Sequence, residues 1–143
     1  MWIGLITFES TDYLSARNTA SMLYDVLTRI FGEVDFHDFL YWHHYARKTG
    51  HVLGYGILAL LLLRGWRLTL AWTSSWHWRS AIFAWLGTAF VASLDEWHQS
   101  FIPSRTGTPW DVVLDSCAGL MFLLLAYLWM RRAQPNAPAE DLA

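Results

Sequence analysis

The chain has 143 residues, of which 55% are hydrophobic and 17% aromatic while only 15% are charged, well under the roughly 25% charge of an average soluble domain. That composition excludes a disordered chain, a low-complexity linker and a collagen-like rod, and the length allows one domain. A net charge of −2 supplies no basic face for nucleic acid, and a single cysteine, Cys117, excludes an intramolecular disulfide.

Met1 to Phe8 is apolar but too short to span a bilayer, and it lacks the basic flank of a signal peptide. It reads as the last two turns of a helix. The expectation is that the native protein begins upstream and that these residues finish a first span entering from the cytoplasm. Residues 18–31 place Met22, Leu23, Val26, Leu27, Ile30 and Phe31 at helical spacing, with Asp25 and Arg29 elsewhere on the wheel, which predicts an amphipathic helix on the membrane surface. Asp35, with Asp38 three residues on, caps a further helix over 35–45 whose Phe39, Tyr41, Trp42 and Tyr45 favour the interface.

Three charge-poor runs follow. Thr49 to Leu63 is charge-free and extends to Trp66 if Arg64 snorkels; Ser80 to Leu94 is charge-free behind Trp76 and Trp78; Val112 to Met130 holds only Asp115 and is closed by Arg131 and Arg132. A spanning helix takes about 20 mostly apolar residues. Three such runs in one small domain fit lipid better than the alternative, a buried soluble bundle. Before the third run, Pro103 stops a helix, Gly107 permits a turn, and Thr108-Pro109-Trp110-Asp111 starts the next helix with Thr at the N-cap and Pro at N1. Residues 133–143, with two Pro and no apolar period, read as a disordered cytoplasmic tail.

Loop charge sets a direction, because Lys and Arg gather on the cytoplasmic side. Arg64, Arg67 and Arg79 lie between the first two runs without an acid, and Arg131-Arg132 follow the third; the 9–48 and 95–111 segments are mixed and acid-rich. The predicted fold class is therefore an all-α, multi-pass transmembrane helical bundle. It has three full spans, a short N-terminal apolar segment as the end of a fourth, interfacial helices, and a cytoplasmic C-terminus.

The informative residues are the polar ones at the outer span ends, since charge in hydrocarbon is costly unless paired or hydrated. Arg47, His51 and Tyr55 are spaced i, i+4, i+8, with Lys48 adjacent; Asp95 and Gln99 are i, i+4, followed by His98 within that turn; Asp111, Asp115 and Gly119 repeat the spacing. Gly119, with Ser116 and Ala118, offers a small surface for close helix approach. Asp111 serves equally as a cap residue. Asp115 lies a turn inside and needs a partner: Arg105, Lys48 or a water-filled pocket.

Arg47 and Lys48 also suit interfacial anchoring, and His37, His43, His44 and His77 read as interfacial, without metal-like spacing. Cys117 reads as a small buried packing residue. Pooled, Lys48, His51, Tyr55, Asp95, Glu96, Gln99, Arg105, Asp111 and Asp115 predict a charge-paired polar pocket opening outward. The alternative is an ion-pair network that only orients helices. No spacing supports a metal, and no cofactor is implied.

Lys48-x-x-His51-x-x-x-Tyr55, then Asp95-Glu96-x-x-Gln99-x-Phe101-x-Pro103-x-Arg105-x-x-x-x-x-Asp111-x-x-x-Asp115-x-x-x-Gly119, closely resembles the VanZ-like family of small bacterial membrane proteins. Asp115 stands where many members carry Asn. The resemblance implies a VanZ-like membrane domain over 1–132, four transmembrane helices, the bacterial inner membrane and a cell-envelope role. The founding member is associated with resistance to the lipoglycopeptide teicoplanin. Three functions compete. The first is recognition or modification of an amphiphile with a polar head, a lipid-linked envelope precursor or a lipoglycopeptide, beside membrane lipids as partners. The second is a membrane-embedded hydrolase or transferase at the outer leaflet drawing on His51, Asp95, Glu96 and Asp111, with His51 as base and Asp95 or Glu96 orienting it or acting as an acid. The third is a structural or assembly protein. The sequence leaves the oligomeric state open.

Overall fold

The computed structural model describes residues 16–70, 76–101 and 108–133, and these form four helices without a strand among them: α1 (Ala16–Phe31), α2 (Phe36–Thr69), α3 (Trp78–Gln99) and α4 (Pro109–Ala133). The expectations for residues 1–8 and for the tail beyond Ala133 lie outside the described residues. Ala133 itself, read as the start of that tail, closes α4.

α1 is amphipathic, as its spacing predicts, and ends on Gly32, which takes φ +84°, a left-handed conformation that closes the helix with a Gly32 N–H to Thr28 carbonyl bond of 3.0 Å. Tyr24 fixes the turn that follows. Its hydroxyl donates to the Val34 carbonyl at 3.0 Å, and its ring packs edge-on against Phe36 with centroids 5.0 Å apart. Asp35 is the N-cap of α2, extended at φ −61° and ψ 126°, accepting from the His37 and Asp38 amides at 2.8 and 3.0 Å.

One boundary differs from expectation. The interfacial helix and the first span are a single α2 of 34 residues, about 51 Å at 1.5 Å per residue against a hydrocarbon core of about 30 Å. No proline interrupts residues 45–50, and one glycine, Gly50, does not break a helix supported on both sides. The first third of α2 therefore stands beyond the ends of α3 and α4, with α1 packed on it.

α2, α3 and α4 form the bundle. α2 and α4 run in the same direction and α3 runs against both, as the facing pairs Lys48 with Asp111, Tyr55 with Asp95, and Leu62 with Gly87 require. Small residues set the spacing. A methyl at Gly119 would lie 2.9 Å from Thr88 and 3.5 Å from Ala59, so three helices meet at that glycine; a methyl at Gly56 would fall 2.5 Å from the Phe122 ring. Trp85 Nε1 donates to the Ser116 carbonyl at 3.1 Å, tying α3 to α4.

The distribution of polarity is the reverse of a soluble core. The buried face of α3 reads Ser80, Ala81, Ala84, Thr88, Ala92, Asp95, Glu96 and Gln99, while Ile82, Phe83, Leu86, Phe90 and Leu94 point outward. α4 likewise exposes Leu120, Met121, Leu124, Leu125 and Leu128. Water makes that arrangement unfavourable; lipid does not. α2 and α4 are long and apolar enough to cross a membrane, yet only 28% and 22% of their apolar windows are buried. α3 has 22 residues, but Arg79, Asp95, Glu96 and its small polar residues keep it below the same apolarity. By length and apolarity, the expectation of three full spans is met by two helices. Cys117, expected in the packing, faces outward.

Candidate functional site

The polar residues expected at the outer ends meet at one end of the bundle because α2 and α4 descend together from Lys48 and Asp111 while α3 ascends to Gln99. The helical repeat then stacks the pairs. Lys48 Nζ is ion-paired with Asp111 Oδ1 at the rim, where the two side chains are 41% and 24% exposed. One turn deeper, His51 Nδ1 lies 3.4 Å from Asp115 Oδ2. Deeper still, the Tyr55 hydroxyl donates to Asp95 Oδ2 at 3.1 Å, and Gln99 Nε2 donates to the same oxygen at 2.8 Å. The His51 and Tyr55 rings stack with centroids 6.2 Å apart.

The start of α4 is shared between helices. Thr108 accepts from the Asp111 amide at 3.3 Å and donates its hydroxyl to Asp111 Oδ2 at 2.9 Å, so Asp111 is both a cap residue and the partner of Lys48. The Thr108 backbone N–H goes to Glu96 Oε2 at 2.8 Å. That bond fills the role of a capping-box acid from the neighbouring helix. Nothing in the local spacing of α4 signals it.

Asp115 is the exception in an otherwise paired cluster. It is fully buried, its Oδ2 faces His51, and its Oδ1 has no hydrogen-bond partner among the described residues. An unpaired buried oxygen costs about 1–3 kcal/mol. Of the partners expected for Asp115, Arg105 lies outside the described residues and Lys48 is on Asp111; the neighbour found is His51. His51, expected to be oriented by Asp95 or Glu96, is instead held by Asp115.

A groove of about 330 Å³ adjoins the cluster between α1 and α2, lined by Thr19, Leu23, His43, Ala46, Arg47, Gly50 and His51. His51 thus borders both the buried acid and the groove. Among the described residues no three His, Cys, Asp or Glu side chains gather as a metal site. Thr19, which contacts His43 Nε2 at 3.3 Å, and Thr108 are members of this region that sequence reasoning did not single out as site residues.

At the other end of the bundle lie Arg64, Arg67 and Arg79, with Arg131 and Arg132 in the last turn of α4. The helices therefore carry an acid-rich end and an arginine end.

The VanZ/LLP1 family model matches residues 1–130, most of the chain. No curated protein and no solved structure matches. The match and the two apolar helices together point to a membrane protein, and the two motifs that form the polar end fall wholly inside the matched region: the chain belongs to the VanZ/LLP1 family.

Proposed function

We propose that this protein is a multi-pass protein of the bacterial inner membrane in which α2, α3 and α4 all cross the bilayer. The polar end opens to the outer face and recognises an amphiphile with a polar head, a lipid-linked envelope precursor or a lipoglycopeptide such as teicoplanin. α3 crosses as the partner of two strongly apolar helices, with its acids turned into the bundle and its large apolar residues toward lipid. The arginine end faces the cytoplasm by the usual bias of basic residues.

The observation that carries the reading is Asp115. A network serving only to orient helices gains most when every member is satisfied. Here a fully buried carboxylate keeps one oxygen unpaired beside His51. Lys48 suits an anionic group of the ligand, while Asp111, Asp95, Glu96 and Gln99 suit hydroxyls and amides. Arg105 belongs to the same motif and to the same proposal.

The test is copurification from cells grown with labelled phosphate. The protein retains labelled envelope lipid, and a Lys48→Ala, Asp95→Ala double variant of equal folding retains markedly less. Equal retention by the two defeats the reading.

A second reading has one observation behind it. His51 is contacted through Nδ1 by Asp115 and also lines the groove between α1 and α2, the arrangement of a base oriented by an acid. Asp95, Glu96 and Asp111 then hold substrate. Incubating the purified protein with envelope lipid extract and finding no product by mass spectrometry removes this hydrolase or transferase version.

A further inference from the structure

Five of the ten basic residues of the chain, Arg64, Arg67, Arg79, Arg131 and Arg132, lie at the end of the bundle opposite the acid cluster, and all five are arginine. Helix pairing brings their turns together. Trp66 on α2 lies against Phe83 on α3 with ring centroids 5.3 Å apart, and Trp78 on α3 lies against Tyr127 on α4 at 5.0 Å. Arg64 and Arg67 stand on either side of Trp66 in sequence, Arg79 follows Trp78, and Arg131 is about one turn beyond Tyr127. Arg67 is half-buried and engaged within the chain. Arg64, Arg79, Arg131 and Arg132 are exposed, and none of them forms an ion pair among the described residues.

The chain does not balance this charge itself. It has no Asp or Glu from 39 to 94 or from 116 to 139, so the link between α2 and α3 brings no acid, and Glu140 and Asp141 are too few for five arginines. A guanidinium makes paired hydrogen bonds to phosphate or carboxylate oxygens. The flanking surface decides between a soluble acid and a lipid. Trp66, Leu68, Trp78, Leu128 and Trp129 lie in the same turns and are all exposed. A soluble acidic partner covers the arginines and leaves those apolar side chains in water. A phospholipid covers both, with its phosphate on the guanidinium groups and its acyl chains along the rings. A zwitterionic head brings its own ammonium to compete for its phosphate, so the match is to a head of net negative charge.

We infer that the arginine end is a binding surface for anionic phospholipid, selecting heads of net negative charge over zwitterionic ones. Arg64, Arg79, Arg131 and Arg132 hold the phosphates, and Trp78 and Trp129 lie at the boundary between heads and acyl chains. The surface is at the opposite end from the proposed amphiphile site and binds whether or not that site does. On the cytoplasmic leaflet, whose anionic lipids give it a negative surface potential, it holds the bundle in the orientation that turns the acid cluster outward.

The full chain in neutral detergent is titrated with dioleoyl phosphatidylglycerol and with dioleoyl phosphatidylethanolamine, and bound lipid is read by native mass spectrometry. Phosphatidylglycerol binds more tightly, by about tenfold or more. Arg64→Gln with Arg79→Gln, and Arg131→Gln with Arg132→Gln, each weaken it by about tenfold or more, since each pair removes two surface arginines. Arg29→Gln, which removes an exposed arginine of α1 at the other end, leaves it unchanged. Sodium phosphate displaces the lipid no more than sodium chloride does at equal ionic strength. Should a pair of changes lower the melting temperature, the single variants Arg79→Gln and Arg132→Gln carry the test, each weakening phosphatidylglycerol several-fold. Equal affinity for the two lipids overturns the inference, as does native binding by both pairs. An equal loss in Arg29→Gln overturns it by marking a net-charge effect without a site, and preferential displacement by phosphate does so by marking a free-anion site.

Discussion

Replacing Asp115 by Val removes the buried carboxylate at small change in volume. Its Oδ1 is buried without a partner, and relieving such an atom is worth about 1–3 kcal/mol. The contact forfeited, Oδ2 to His51, is long at 3.4 Å, and interhelical hydrogen bonds in membranes average about 0.6 kcal/mol. The balance favours the variant: Asp115→Val is expected to be as stable as the native chain or more stable by about 1 kcal/mol, in line with apolar replacements of buried charges. Lipid retention is expected to fall in the same variant. Stability is read by reversible denaturation in mixed micelles, followed through the tryptophans, and retention by copurified label. A loss of stability above about 2 kcal/mol would refute the reasoning, because it would mean that Asp115 supports the bundle rather than being maintained at its expense.

Other perturbations test the packing and the rim. Gly56→Ala places a methyl 2.5 Å from the Phe122 ring, so it is expected to destabilise by about 1–3 kcal/mol, and Phe122→Leu in the same chain is expected to recover most of that in micelle denaturation. Gly119→Leu drives a side chain into Thr88 and Ala59 and is expected to be at least as damaging by the same assay. The Lys48–Asp111 pair is part-exposed, so a double-mutant cycle with Lys48→Met and Asp111→Asn is expected to give a coupling below about 1 kcal/mol, falling with salt. Cys117 faces outward on α4, and in membranes it is expected to react with an apolar pyrene maleimide and to resist a charged methanethiosulfonate.

The helices were legible because their apolar runs and caps are local signals. Asp35 reads as a cap, Thr108-Pro109 reads as a start, and both act so in the structure. The length of α2 was not, because aromatic interfacial residues and a spanning run look like two helices when no breaker is required to separate them. The cluster itself was readable from three i, i+4 series. Its pairing was not: which residue of α2 faces Asp115 depends on the register between helices, set by Gly119 against Thr88 and Ala59, and no local spacing encodes it. The Glu96 bond to the Thr108 amide is hidden for the same reason. The outward position of Cys117 follows once Asp115, Ala118 and Gly119 are fixed as the inner face, since Cys117 lies two residues from Asp115, about 200° around the helix. His43, Arg47 and His51 carry a visible four-residue period, but the groove they line depends on α1 folding back at Gly32 and Tyr24, which that period does not encode.

Each role assigned to the polar end requires that this end open to the outer face while the arginine end stays inside. In a Cys117→Ser background, Trp110→Cys replaces a side chain 80% exposed at the start of α4, and Arg132→Cys replaces an exposed one in its last turn. Intact cells are treated with a membrane-impermeant maleimide. The expected result is labelling at position 110 without permeabilisation and at position 132 only after it. Labelling at 132 in intact cells, with 110 protected until permeabilisation, would contradict the outward-facing site.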